Sequence, residues 1–238
     1  MTDPIILLFD IDGTLVSAQG AGRRALNRAF EPAFGVGGAI DCVELQGMTD
    51  PLIVRAGLEA IQIPTDAHSD WMDRLIERYL GYLVEELSPE GTVQRLPGVV
   101  DLLERVRQAQ PHIALGLGTG NVAAGARAKL ERAGLFHYFD FGGYGSDHEL
   151  RSSVLAIGAK RGADSLGRPI GSCRIIVIGD THRDVEAARA IGADCLGVAT
   201  GHLDVKSLEE AGASLVVESL AAVPVYGYLT GQWRPHSP

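Results

Sequence analysis

The sequence is poor in cysteine: only Cys42, Cys173 and Cys195 occur in 238 residues. An odd number of widely separated thiols, none at metal-ligand spacing, argues against a disulfide framework and a thiolate metal site. They read as buried apolar residues in a reducing compartment. Positive charge is short as well, with 21 Lys and Arg against 30 Asp and Glu and a net charge of -9. That balance repels nucleic-acid backbones and anionic membranes, so any bound phosphate group needs a local cation or metal. Long hydrophobic runs are lacking too. The first apolar stretch lies between Asp3 and Asp10 and reads as neither a secretory signal nor a membrane span. The expected location is therefore cytoplasmic, with no nucleic-acid and no membrane partner. No internal repeat or low-complexity segment occurs. What is present, 46% hydrophobic and 21% charged residues, is ordinary for a soluble globular protein and suffices for one large domain or two modest ones.

Three stretches combine a short apolar run with polar residues at its end. In Pro4-Ile5-Ile6-Leu7-Leu8-Phe9-Asp10-Ile11-Asp12-Gly13-Thr14, five apolar residues in a row predict a strand buried on both faces, as in a parallel sheet. Extended geometry would project Asp10 and Asp12 to the same side, and two like charges that close need a cation or a shared proton. Ile113-Ala114-Leu115-Gly116-Leu117-Gly118-Thr119-Gly120-Asn121 predicts a second strand. Backbone N-H groups and the Thr119 hydroxyl at its end suit an anion, ahead of a helix over 122–133. Arg174-Ile175-Ile176-Val177-Ile178-Gly179-Asp180 predicts a third strand, with Asp184 one helical turn beyond Asp180. Hard oxygen ligands without a histidine or cysteine cluster select Mg²⁺. Ligands gather at the carboxyl ends of strands in open α/β sheets, so these ends are expected to meet.

Asp10-Ile11-Asp12-Gly13-Thr14-Leu15 resembles the first motif of the haloacid dehalogenase superfamily, in its phosphatase branch, and the later stretches resemble the second and fourth motifs in order. The resemblance implies that Asp10 attacks phosphorus to form an aspartyl-phosphate and that Asp12 protonates the leaving oxygen and then activates water. Dehalogenases of the superfamily lack that second aspartate, so phosphoryl chemistry is favoured. By the same resemblance Thr119 meets a phosphoryl oxygen, with Gly13, Gly120 and Asn121 around the phosphate, and Asp10, Asp12, Asp180 and Asp184 form the Mg²⁺ set. The third motif departs from the usual Lys-Pro form: Arg151 occupies the matching place, and Lys160, two to three turns further along, is its rival. The implied substrate is a small phosphorylated metabolite, phosphoglycolate-like or a sugar phosphate. A phosphomutase, or a silent binding protein on the same scaffold, is the alternative.

Between the first and second strands the pattern turns helical. Apolar stripes predict helices from residue 25, which Pro32 should kink or shorten, from Thr49-Asp50-Pro51, and over 70–87; no strand pattern falls between 16 and 92. The expected fold is α/β: a doubly wound, Rossmann-like, mostly parallel sheet core formed by 1–16 and 93–238, with a small inserted all-helical cap domain at 17–92. Arg23 or Arg24 stands one short connection from the aspartates, and Arg23 is taken as the substrate-facing cation. Residues 46–50 resemble a cap loop of the phosphoglycolate-phosphatase-like branch, and Thr49 or Asp50 also suits a helix N-cap. Further strands are expected at 138–142, 194–199 and 214–217, with a loose tail from Gly231. No extended apolar face demands a partner, so the protein is expected to be a monomer or homodimer.

Overall fold

A computed structural model of the chain describes residues 3–63, 69–109 and 112–233. Its centre is β1, Ile5–Phe9, buried along its whole length. This strand pairs in parallel with β4, Ile113–Gly118, on one side and β6, Arg174–Gly179, on the other, so that Leu7 lies opposite both Leu115 and Ile176. The sheet continues to β5, Phe141–Gly143, beyond β4, and to β7, Asp194–Val198, and β8, Leu215–Val217, beyond β6. Every pairing within it is parallel. The chain fills one side of β1 and then crosses to the other, which leaves a crevice at the carboxyl ends of β1, β4 and β6.

Two apolar layers cover this sheet, as a strand without polar alternation requires. Ile5, Leu7 and Phe9 join one core with Leu103 of α4 (Val99–Ala109) and Leu130 of α5 (Ala123–Arg132). Ile6 and Leu8 join the other with Leu155 of α6 (Arg151–Ser165), Val185 of α7 (His182–Ala190) and Leu208 of α8 (Val205–Ala211). A last helix, α9 (Pro224–Leu229), packs Leu229 on the first face. A third cluster holds Leu26 and Phe30 of α1 (Ala21–Phe34), Ile53 of α2 (Asp50–Ala60) and Leu75, Tyr79 and Leu83 of α3 (Ser69–Leu87). Val122, ahead of α5, belongs to this cluster and so pins the helical layer to the sheet side. Helix α1 runs two residues past Pro32 and closes on Gly35, whose N-H donates to the Glu31 carbonyl.

Two expectations are corrected. Strand pattern does exist at the junctions of the helical block: β2, Val16–Ser17, pairs antiparallel with β3, Gln94–Arg95. Two residues per strand are too few for alternation to register in a sequence. The strand expected over 138–142 begins only at Phe141, as β5, and a 3-10 turn, Phe136–Tyr138, precedes it. Tyr138 and Phe139 join the core instead, with the Phe139 ring 6.1 Å from that of Phe9. The expected helix end at residues 110–111 and the tail from 234 onward lie outside the described residues. The near end of the tail is packed, with the Trp233 N-H donating to the Gly227 carbonyl.

Strand β5 ends in Gly143 because the backbone of α6 presses on it there. A Cβ on Gly143 would lie 2.0 Å from the Val154 carbonyl oxygen, and backbone cannot step aside as a side chain can. Gly143→Ala is therefore expected to destabilise the fold by about 1–3 kcal/mol, read as a lower urea midpoint at unchanged slope. An unchanged midpoint would show that α6 is not held against β5 as described.

Candidate active site

Asp10 is the first residue past β1, and its N-H continues the ladder by donating to the Ile178 carbonyl at 2.9 Å. Asp180 is the first residue past β6, and Asp184 lies in the first turn of α7. One carboxylate oxygen of each lies within 4.8 Å of the others, and all three residues are buried. Asp184 is fixed by a capping box: its Oδ2 accepts from the Thr181 N-H at 3.0 Å and hydroxyl at 2.7 Å. Asp180 Oδ1 accepts from the Thr14 hydroxyl at 3.2 Å. Gly13 passes close over Asp180 with φ +81°, and a Cβ there would stand 2.3 Å from Asp180 Oδ2. Only glycine combines that left-handed backbone with that approach.

Arg151, the first residue of α6, is buried against this group. Its Nε and Nη2 donate to Asp184 Oδ1 at 2.8 and 2.5 Å, and Nη2 lies 2.9 Å from Asp10 Oδ2. Lys160, the rival, is exposed and pairs with Asp164 at 2.7 Å, away from the carboxylates. Burial pushes the Asp10 carboxyl up to about 6 even though Arg151 pulls it down. Burial, with Asp184 and Asp10 adding to it, pushes Asp180 upward too. Three buried carboxylates gathered this closely, with only oxygen donors among them, fit a hard divalent cation such as Mg²⁺.

The Asp12 carboxylate stands apart from those of Asp10, Asp180 and Asp184. After Phe9 the chain turns, with the N-H groups of Leu15 and Val16 both donating to the Ile11 carbonyl. The alternation of an extended strand therefore no longer applies. The Asp12 carboxylate faces α5, where Oδ2 accepts from Asn121 Nδ2 at 2.9 Å and from Lys129 Nζ at 2.5 Å. Lys129 also donates to Asn121 Oδ1 at 2.6 Å and is only 4% exposed. Burial works against its charge, but Asp12 and Asp50 outweigh that and raise its pKa. No expectation included Lys129. Its place on the stripe of Val122, Ala126, Leu130 and Ala133, all buried, was the available signal, since a lysine there must lie under the surface.

The remaining sequence candidates divide. Thr119 is wholly buried, and its Oγ1 accepts from the Asn121 N-H at 3.3 Å and Nδ2 at 2.9 Å. It does not itself line the cavity, whereas Gly120 and Asn121 do. The cavity, about 450 Å³, also takes in Asp10, Asp12, Gly13, Lys129, Arg151 and Asp180. Its roof comes from the helical layer, with Leu26, Leu45, Met48, Ile53 and Tyr79. Arg23 reaches the same cavity, but its guanidinium is engaged by the carbonyls of Ile40, Asp41 and Val43 at 2.7, 3.2 and 3.1 Å. Those acceptors are neutral, so its charge has no carboxylate among them.

Residues 46–50 bind the roof to the rim. The Asp50 N-H donates to the Gly120 carbonyl and Asp50 Oδ2 accepts from the Val122 N-H, both at 2.8 Å. The Thr49 hydroxyl donates to the Glu149 carbonyl at 2.8 Å, and Arg183 Nη1 donates to the Gln46 carbonyl at 3.1 Å. Thr49 also caps α2, accepting from the Leu52 N-H at 3.4 Å.

A doubly wound parallel sheet whose central strand ends in a buried aspartate, faced by two further carboxylates and a buried arginine under a roofed cavity, has the equipment of an enzyme acting on an anionic group. Residues 6–192 match the haloacid dehalogenase-like hydrolase family, and the chain belongs to it. A phosphoglycolate phosphatase of Synechococcus elongatus is 30% identical over 90% of this chain and 92% of its own length. The fructose-1-phosphate phosphatase YqaB of Escherichia coli is 28% identical over 81% of this chain and 95% of its own. A beta-phosphoglucomutase structure from Clostridium difficile superposes with a TM-score of 0.71 at 19% identity, covering 98% of both chains, a likeness of fold alone.

Burial pushes the Asp50 carboxyl up from 3.8 to about 6, Lys129 pulling against it. Between those values the unfolded chain has released its proton while the folded chain keeps it, so this carboxyl erodes stability as pH rises through the window. Asp50→Asn, which removes the titration, is expected to gain stability relative to the parent from about pH 4 to about pH 6, on the order of 3 kcal/mol. Urea denaturation of both proteins across that range measures it, and a gap that stays constant contradicts it.

Proposed function

We propose that the chain is a Mg²⁺-dependent phosphatase that hydrolyses a phosphomonoester of a small metabolite, phosphoglycolate-like or a sugar phosphate, through an aspartyl-phosphate on Asp10. The observation that carries this reading is the placement of the Asp10 carboxylate beside Arg151, Asp180 and Asp184 at the floor of the cavity. Asp10, Asp180 and Asp184 would hold Mg²⁺, which when bound supplies charge neutralisation for the phosphoryl oxygens. Phosphoryl transfer asks mainly for positioning and charge stabilisation. Arg151, forked onto Asp184 and beside Asp10, would set its charge against a phosphoryl oxygen, while Gly120 and Asn121 line the cavity wall. In the first step an Asp10 oxygen bonds to phosphorus, and the bond from phosphorus to the alcohol oxygen breaks with its electron pair on that oxygen. Asp12 supplies the proton. In the second step a water oxygen bonds to the same phosphorus as Asp12 takes the water's proton, and phosphate and the Asp10 carboxylate are released.

Residues 17–92 would form the cap over the core made by 1–16 and 93–238. Its apolar roof and Arg23 would contact the part of the substrate beyond the phosphoryl group, so substrate choice resides there. The phosphatase relatives support hydrolysis, and Asp12 within reach of the cavity supports proton transfer to a leaving alcohol.

Purified protein is expected to release phosphate from p-nitrophenyl phosphate with Mg²⁺ and to stop with EDTA, and Asp10→Asn is expected to reduce release to background. Metal-independent release, or an active Asp10→Asn, would remove the basis for the mechanism. Within a panel containing 2-phosphoglycolate, fructose 1-phosphate and glucose 1-phosphate, interconversion of a sugar phosphate without release would mark a mutase instead.

A further inference from the structure

We infer that Lys129 is the positioning residue for Asp12: its buried ammonium, together with Asn121, holds one carboxylate oxygen so that the other faces the reacting group. The inference rests on the phosphatase reading and assigns that site a residue outside its four motifs. Both donors to Asp12 converge on Oδ2, Lys129 at 2.5 Å and Asn121 at 2.9 Å. Oδ1 is thereby the oxygen left to carry the proton out to the leaving group and to take one from water. A carboxyl group protonated on Oδ1 still accepts both bonds at Oδ2, so the same grip serves both halves of the cycle. The Asp12 side chain is 45% exposed and Lys129 only 5%. The carboxylate that must reach the substrate is thus steadied by a cation that does not need to move.

The grip is built from both layers of the protein. Asn121 Nδ2 also donates to Thr119 Oγ1, so the chain of bonds runs from the end of β4 through Asn121 and Lys129 to Asp12. Above it, a Cβ on Gly22 of α1 would lie 3.7 Å from Lys129 Nζ and 3.9 Å from the Tyr79 hydroxyl. The backbone of the helical layer thereby covers the ammonium and keeps water from it, which strengthens its hold on Asp12.

A positioned general acid matters most when the departing oxygen cannot leave as an anion, and this gives a readout that mere structural support would not move. Lys129→Met is compared with the parent and with Asp12→Asn across 2,4-dinitrophenyl, p-nitrophenyl and phenyl phosphate, all with Mg²⁺. The expected result is a kcat loss of about 100-fold on phenyl phosphate, at the low end for a positioned acid, shrinking toward the parental value on the dinitrophenyl ester. Asp12→Asn should show the same slope, and the double variant should be no slower than Asp12→Asn alone, as for groups acting as one unit. Equal losses on all three esters, with the parent still releasing phosphate, would overturn the role of Lys129 and leave the phosphatase standing. A parent that releases phosphate from none of them would overturn the phosphatase reading and this role with it. Should Lys129→Met not melt cooperatively, Lys129→Gln takes its place in the comparison; loss of cooperative melting in both would make Lys129 a purely structural residue and end the proposal.

Discussion

Carboxylates crowded into a water-poor crevice can be held there only by cations of matching reach, and two buried ones do this. Arg151 spans Asp10 and Asp184, and Lys129 binds Asp12 while its charge also acts on Asp50. Without them the like charges would either take up protons or push the loops apart. The arrangement does not stabilise the fold cheaply: taking such ions from water costs several kcal/mol each, and the attraction between them largely offsets that cost rather than exceeding it. Removing one partner is a different matter, costing roughly 3–5 kcal/mol where it strands a buried charge. The site is accordingly intolerant of single changes while adding little to stability overall.

Each cation comes from a helix that follows a strand. Arg151 opens α6, which packs so closely on β5 that Gly143 has room for no side chain. Lys129 lies within α5, which follows β4. Asp10, Asp12 and Asp180 come from the loops at the ends of β1 and β6, and Asp184 from the first turn of α7. Strand ends and a helix N-terminus thus deliver negative charge to the rim, and α5 and α6 deliver the positive charge. The parallel sheet fixes the spacing between the two, because β1 is hydrogen-bonded on both edges and cannot slip without turning Ile6 and Leu8 out of their layer.

Much of this was legible in the residues. The unbroken apolar run before Asp10, the β-branched run before Asp180 and the helical stripes over 70–87 announced their elements because hydrophobic period and length agreed. Arg151 could be preferred to Lys160 from its place at a helix start, and their burial and partners differ accordingly. What escaped has a common cause. Asp12 leaves the strand through a turn closed on the Ile11 carbonyl, so period-two reasoning could not show that its carboxylate turns toward Lys129. Lys129 was passed over because a lysine at helical spacing is ordinarily solvated, although its place on the buried stripe of α5 marked it and α1 and α3 cover it. Arg23 reaches the cavity as expected, yet three carbonyls from residues 40–43 hold its guanidinium, contacts between a helix and a loop that carry no periodic signature.

The roof and the rim are also coupled through the same charges. Residues 46–50 are held to the loops at the strand ends by the two Asp50 bonds and the Thr49 and Arg183 bonds, roughly 1 kcal/mol each once water replaces them. Asp50 makes that contact depend on Lys129, because burial penalises the Asp50 charge and Lys129 relieves it. Lys129 in turn lies beneath Gly22 and the Tyr79 hydroxyl. Burial beneath the roof therefore strengthens the ion pair between Lys129 and Asp12, while the same cation offsets the cost of burying Asp50.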